Sequence, residues 1–202
     1  MFWPLTAALL TCLAAVQVLS IRGESQTWDE HFELASGYSY LKTGDYRINT
    51  EQPPLAKIIQ ALPLLFMQAS VPLSDPSWEQ RDPVRFGAKF LNHNRIPADT
   101  MLFAGRLMSI LMTSCLALAV AVWTRWRFGA GVALFALLLL TLDPTVIAHG
   151  RYIKQDVPVT LFAFLSCVAW GRSLILVGVF FGLALGLRPL ERVLPVTKLA
   201  TG

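Results

Sequence analysis

The chain has 202 residues, of which 54% are hydrophobic and 15% are charged, and its mean hydropathy is +0.53. This composition is too apolar and too poor in charge for an ordinary soluble domain, so it predicts an integral membrane protein. The net charge of +4 would suit a nucleic-acid-binding protein. However, the chain has no basic stripe with interleaved aromatic residues, so we expect no nucleic-acid partner.

The first predicted element is an apolar helix at the amino terminus. Residues 2–21 carry no charged side chain. At about 1.5 Å per residue, this run is long enough to cross a hydrocarbon layer of about 30 Å. A cleaved signal peptide is the alternative. The run has no preceding Lys or Arg and is longer than a usual signal h-region, which favours an uncleaved membrane anchor.

The stretch over residues 22–100 contains ten of the thirteen acidic residues. Thr27 and Glu30 form a capping-box pattern, which predicts a helix over residues 28–42 that Gly44 ends. A second, amphipathic helix is expected over residues 54–66. It is too short to span a membrane and suits the membrane interface.

Four further membrane spans are predicted, over residues 101–123, 128–142, 157–171 and 174–187. Arg125 and Arg127 lie between the first two of these, and Arg172 lies between the last two. The positive-inside rule therefore places both connections in the cytoplasm. Residues 22–100 and 143–156 then lie on the opposite side of the membrane.

The predicted fold class is all-α and integral to the membrane. Residues 1–202 form a single transmembrane domain of about five spans, with amphipathic interfacial helices in the first outer loop. Cys12, Cys115 and Cys167 lie in apolar segments without CxxC or metal-ligand spacing. They are interpreted as small core residues rather than as disulfides or ligands.

Acidic residues on the outer side are candidates for catalysis. Asp29 and Glu30 begin the first loop helix, where acids commonly stabilise the helix dipole by a few tenths to about 1 kcal/mol. The functional alternative is a general base at the membrane boundary. Asp156 begins a span close to Arg151 and Lys154. It is either a salt-bridged helix start or part of a cavity shared with the first loop.

Arg106 interrupts the outer end of the second predicted span. A charge there is costly unless it faces a polar cavity or reaches the interface. This position favours a shared cavity, in which carboxylates transfer protons and cations bind a phosphate.

Several motifs in a fixed order carry a family resemblance. They are DE at residues 29–30 before an aromatic-rich helix, then SGYSYLKTGDYRIN followed by E and PPLAK over residues 36–57, then LDP, AHGR and D over residues 142–156. The pattern resembles the amino-terminal part of polyprenyl-phosphate-dependent glycosyltransferases of the GT-C fold, related to protein O-mannosyltransferases and aminoarabinose transferases. The resemblance extends from about residue 29 to residue 186, and it implies a larger bundle of which this chain is an incomplete part.

The resemblance implies transfer of a sugar from a polyprenyl-phosphate donor to a hydroxyl of a lipid, glycan or protein acceptor, with inversion at the anomeric carbon. Asp29 would be the general base, Glu30 would shape the site, and Asp156 would line the same cavity. Six residues are candidates for binding the substrate, mainly its lipid phosphate: Gln52, Lys57, Arg106, His149, Arg151 and Lys154. Gln52 stands where the family commonly has His or Lys, and it keeps a hydrogen-bond donor without the charge.

No cofactor is expected. Some members of the family use a divalent metal near the first-loop acid, but the ligand spacing in this chain favours a site without metal. The expected location is the plasma, or inner, membrane, with several spans and with the first loop on the non-cytoplasmic side.

The last residues, RPLERVLPVTKLATG, contain two prolines and four charges where the family pattern normally continues apolar. This favours a truncated or frame-altered form over a compact natural design, and it leaves the activity of the chain alone open. The alternative function is a non-catalytic membrane protein that binds a polyprenyl lipid or completes a bundle with a partner chain. A transporter or channel is disfavoured, because the charges cluster outside the predicted spans.

Overall fold

The computed structural model describes residues 1–50, 54–170 and 173–185. Every regular element in these ranges is a helix. In chain order the helices are α1 (Phe2–Ser20), α2 (Glu30–Thr43), α3 (Pro54–Met67), α4 (Pro76–Gln80), α5 (Pro83–Asn92), α6 (Ala98–Phe128), α7 (Ala130–Leu142), α8 (Pro144–His149), α9 (Asp156–Ala169) and α10 (Leu174–Leu185). The prediction of an all-helical protein is confirmed for this part of the chain.

Two of the described helices, α1 and α6, are long and apolar enough to cross a membrane. They have 19 and 31 residues, and they run antiparallel. The Arg125 guanidinium near the end of α6 lies over the rings of Phe2 and Trp3, 4.5 and 4.9 Å from their centroids. Arg125 and Arg127 were expected in a connection between spans. Instead they lie in the last turn of α6, because the helix continues to Phe128.

The three helices α7, α9 and α10 correspond to the other predicted spans. They have only 13, 14 and 12 residues. Residue 171 and residues 186–187 of the predicted spans, and Arg172 of the predicted connection, lie outside the described residues. α7 ends at Leu142 because the next residue caps α8: Asp143 Oδ1 accepts hydrogen bonds from the N–H groups of Thr145 and Val146 at 2.7 and 3.1 Å. Pro144 then occupies the first position of α8.

The four helices α2 to α5 share one hydrophobic core with the first turns of α6. Its fully buried members include Leu34, Phe86 and Met101. The α2 and α3 backbones are in contact at Gly37. A Cβ atom at this position would collide with the carbonyl of Lys57, so only glycine allows the contact. The described part of residues 22–97 is therefore a packed helical layer at one end of α1 and α6 rather than a loose loop.

The helix α3 lies where the amphipathic helix was predicted, but its buried face is more polar than expected. Lys57, Gln60, Ala61 and Leu64 are buried, whereas Phe66 is 90% exposed. Two polar side chains therefore point into the protein from a helix whose sequence is mostly apolar.

The three cysteines are free and exposed, so the interpretation of Cys12, Cys115 and Cys167 as core residues is wrong. Apolar character alone does not direct a residue inward here, because the helices that carry the cysteines also expose other apolar side chains, such as Leu19, Leu111 and Val159.

Candidate functional site

The start of α2 is bound to the segment that precedes α9. Three acids at the start of α2 contact three consecutive residues before α9. Each acid contacts one of these residues. The contacts are Glu30 Oε1 with the backbone N–H of Ile153 at 3.1 Å, Asp29 Oδ2 with Lys154 Nζ at 3.1 Å, and Glu33 Oε2 with Gln155 Nε2 at 2.9 Å. The two regions that carry the sequence motifs are therefore in direct contact.

Glu30 is fully buried and forms a bidentate ion pair with Arg106. The Nε and Nη2 atoms of Arg106 donate to the two carboxylate oxygens at 2.8 and 2.6 Å. The same guanidinium donates to the backbone carbonyls of Glu24 and Ser25 at 3.0 and 2.9 Å. This pair joins α2, α6 and the chain after α1, and neither side chain is among the residues that line the cavity described below.

The pKa of Glu30 reflects this environment. Burial raises the pKa, but the hydrogen bonds from Arg106 and from the N–H groups of Thr27 and Ile153 lower it below its ordinary value. Half of the predicted capping box is present, since Glu30 Oε2 accepts a hydrogen bond from Thr27 N at 2.8 Å. The helix itself begins later than predicted, with Asp29 rather than Thr27 at the N-cap.

Asp29 occupies the N-cap position, yet its carboxylate makes no capping hydrogen bond. It faces Lys154 instead, and the two side chains are 39% and 29% exposed. This carboxylate is reachable from solvent and lies next to an ammonium group. The geometry therefore does not favour the alternative that Asp29 only caps the helix.

A cavity of about 590 Å³ opens beside the Asp29–Lys154 pair. This volume lies in the range of about 300–1,000 Å³ that is usual for small-molecule sites. The lining residues are Asp29, Glu33, Lys154, Gln155, Asp156, Val159 and Thr160. Asp29 and Asp156, which the sequence assigned to one cavity, do line the same one.

Glu33 and Gln155 line this cavity although they were not among the candidates. Glu33 is 2% exposed and lies 3.8 Å from Lys57 Nζ. Burial raises the pKa of Glu33, and Lys57, Gln155 and Asn49 offset only part of this effect. The spacing of Asp29 and Glu33 at i and i+4 was the available signal, because it places both carboxylates on one face of a helix.

The predicted cations occupy different environments. Lys154 lines the cavity. Lys57 is buried, and its Nζ donates to the backbone carbonyl of Asn49 at 3.1 Å. His149 Nδ1 lies 3.9 Å from Asp156 Oδ2, and both side chains are at least half exposed. Gln52 lies outside the described residues.

The AHGR motif contacts α1, the chain just after α1, and α6. Arg151 Nη2 lies 3.1 Å from Glu24 Oε1, so this arginine pairs inside the protein and does not line the cavity. A Cβ atom at Gly150 would lie 2.6 Å from both Gln17 Nε2 and Thr113 Oγ1. Only glycine allows this close approach, which gives part of the motif a structural role.

The cavity combines a solvent-accessible carboxylate, an ammonium group and a buried carboxylate of raised pKa. Such a set can accept a proton from a hydroxyl and offset the negative charge of a phosphate. In the described part of the chain, no group of three or more His, Cys, Asp or Glu side chains is arranged to hold a metal ion.

Comparisons with models of known protein families, with curated proteins and with solved structures find no match to this chain. The functional assignment therefore rests on the geometry of the cavity and on the sequence motifs.

Proposed function

We propose that this chain carries the acceptor-activating site of a membrane glycosyltransferase, which transfers a sugar from a polyprenyl-phosphate carrier to an acceptor hydroxyl. The observation that carries the proposal is the Asp29–Lys154 pair, with 3.1 Å between Oδ2 and Nζ, on the wall of a cavity of about 590 Å³. The pair places a proton acceptor next to a cation that suits a phosphate.

In the proposed reaction, the acceptor oxygen attacks the anomeric carbon while its proton moves to the Asp29 carboxylate. The bond from the anomeric carbon to the phosphate oxygen breaks, and its electron pair goes to the phosphate. The leaving polyprenyl phosphate therefore gains one negative charge. Protonated Asp29 no longer attracts Lys154, so the ammonium can turn its charge to the leaving phosphate.

The proposed membrane arrangement follows from the charges on α6. Arg125 and Arg127 lie in its last turn, whereas Arg106 and the cavity lie near its first turns. By the positive-inside rule, the last turn faces the cytoplasm and the cavity faces the other side of the plasma, or inner, membrane. The shorter apolar helices α7, α9 and α10 are proposed to complete a multi-pass domain of about five spans.

The roles of the other predicted residues follow the geometry. Asp156 is proposed to contribute to the cavity wall, with His149 close to its carboxylate. Glu30 is proposed to shape the site without lining it, because the Glu30–Arg106 pair holds the start of α2 in place. Within the described residues, we assign the phosphate to Lys154 rather than to Lys57, Arg106 or Arg151, because only Lys154 of these four is among the residues that line the cavity.

The test uses membrane vesicles that contain the chain, supplied with polyprenyl-phosphate mannose or polyprenyl-phosphate aminoarabinose labelled in the sugar. Asp29→Asn is expected to lower the rate of label transfer to membrane acceptors by at least about 100-fold, the usual contribution of a general base. Asp99→Asn is the matched control, since Asp99 is an exposed acid in the first turn of α6. Transfer that survives Asp29→Asn at the control rate would remove Asp29 from the mechanism.

The second candidate function is a non-catalytic protein that binds a polyprenyl lipid or completes a bundle with a partner chain. One observation favours it: in the described part of α10, Leu174 and Ile175 are 79% and 78% exposed. A stoichiometric membrane partner that co-purifies with the chain, together with no transfer from either donor, would support this candidate and contradict the enzyme.

A further inference from the structure

Gln60 is a fully buried residue in the middle of α3 that does not line the cavity. Its Nε2 donates to Ser109 Oγ on α6 at 2.9 Å and to the backbone carbonyl of Lys154 at 2.8 Å. One carboxamide therefore connects two helices to the residue whose ammonium faces Asp29.

The direction of this contact is fixed by chemistry. A backbone carbonyl only accepts hydrogen bonds, so the amide nitrogen of Gln60, not its oxygen, must face Lys154. Both Nε2 hydrogens are then used. Gln60 Oε1 has no hydrogen-bond partner among the described residues. A buried amide with one unpaired oxygen costs stability, which is consistent with a role for this side chain beyond packing.

Lys154 needs such a contact because it lies outside regular structure, between α8 and α9. Holding its backbone reduces the freedom of its flexible side chain, which lies near Asp29. Two neighbouring contacts, Glu30 with Ile153 N and Glu33 with Gln155 Nε2, fix the residues on either side. Gln60 holds the carbonyl of Lys154 itself.

We infer that Gln60 is a positioning residue for the proposed transfer: it fixes the backbone of Lys154 so that the ammonium meets the phosphate of the polyprenyl carrier. This inference rests on the proposed function, because it assumes that Lys154 binds this phosphate.

The chain offers a closely matched control in Gln17 of α1. This glutamine is also fully buried, and its Nε2 donates to the backbone carbonyls of Val146 and Ile147 at 3.2 and 3.3 Å. Its Oε1 also has no partner in the described ranges. Gln17 holds α8 rather than Lys154, so it shares the chemistry of Gln60 without the proposed role.

The experiment compares Gln60→Met, Gln17→Met and Lys154→Met, each purified in detergent, by thermal unfolding and by binding of polyprenyl phosphate without a sugar. We expect both glutamine variants to unfold at similarly lowered temperatures. Of the two glutamine variants, only Gln60→Met should weaken binding, by about five- to ten-fold, as for the loss of a contact that orients a charged group. Lys154→Met should weaken binding as well, because it removes the ammonium itself. In the Lys154→Met background, Gln60→Met should have no further effect.

Three results would overturn the inference. Equal weakening by Gln17→Met would make the effect one of general stability. A Gln60→Met effect that persists without the Lys154 ammonium would show that Gln60 acts by another route. Wild-type binding by Lys154→Met would instead contradict the phosphate assignment in the proposed function, and the positioning role with it.

A milder variant covers the case in which Gln60→Met does not fold. Ser109→Ala removes one of the two acceptors that orient the Gln60 amide and leaves the contact with Lys154. We expect it to weaken binding of polyprenyl phosphate by about two-fold, and this loss should vanish in the Lys154→Met background. A loss of the same size in both backgrounds would overturn the inference.

Discussion

Two adjacent acids at the start of α2 have opposite environments. Glu30 pairs with Arg106, and the two side chains are 0% and 2% exposed. Asp29 pairs with Lys154, and these side chains are 39% and 29% exposed on the wall of a cavity. The first pair is enclosed by protein and holds helices together, whereas the second is open to a ligand. A DE motif therefore combines an enclosed carboxylate and a partly exposed one within two positions.

The largest expected effect is on stability, from breaking the enclosed pair. Arg106→Met leaves the Glu30 carboxylate buried without its cation, which typically costs about 3–5 kcal/mol. We expect this variant to unfold at much lower denaturant concentration than the wild type, measured by circular dichroism in detergent.

The control for Arg106→Met is the double variant Glu30→Met/Arg106→Met, which removes both charges. Replacing a whole buried pair by apolar side chains is often close to neutral, so the double variant should be more stable than the single one. A single variant within about 1 kcal/mol of the wild type, as for an exposed pair, would mean that Glu30 and Arg106 do not hold the helices together.

The second prediction compares the pH dependence of Glu30 and Glu33. The pKa of Glu30 is below its ordinary value of 4.5 and that of Glu33 is above it. Ionised Glu30 therefore stabilises the fold above pH 4.5, and this stability is lost as the pH falls through the lowered pKa. For Glu33, ionisation carries a penalty that develops as the pH rises from 4.5 through the raised pKa.

The measurement is the free energy of unfolding of Glu30→Gln and Glu33→Gln, each relative to the wild type, between about pH 3 and pH 7. As the pH rises, Glu30→Gln should lose stability relative to the wild type and Glu33→Gln should gain it. If the stability of both variants relative to the wild type changed in the same direction with pH, the placement of these two carboxylates in opposite environments would be contradicted.

The helices were largely predictable from the sequence, because hydrophobic periodicity and apolar length are local properties. Residues 2–21 and 101–123 were predicted to cross a membrane, and α1 and α6 are long and apolar enough to do so. The exact end of α6 was not predictable, since Arg125 and Arg127 suggested a connection although arginine is a good helix former.

The pairing of the site residues was only partly predictable. Arg106 was recognised as unusual because a charge in an apolar helix needs a partner, but its partner Glu30 lies 76 positions earlier. No local pattern encodes such a contact. The buried face of α3 was missed for a related reason: an amphipathic pattern does not show which helices will pack against it, and the packing of α3 against α2 and α6 turns Lys57 and Gln60 inward.

The smallest expected effect on stability sharpens the contrast between the two pairs. Asp29→Asn removes one charge from a partly exposed pair and keeps the size of the side chain. Such pairs contribute about 0–1 kcal/mol, and salt screens them further. We therefore expect Asp29→Asn to unfold within about 1 kcal/mol of the wild type, by the same denaturant measurement as for Arg106→Met.

A loss as large as that of Arg106→Met would show that Asp29 holds the fold together, and the loss of sugar transfer expected for this variant would then carry no information about a base. A small change in stability together with a large loss of transfer would separate the chemistry of Asp29 from the structural role of its neighbour.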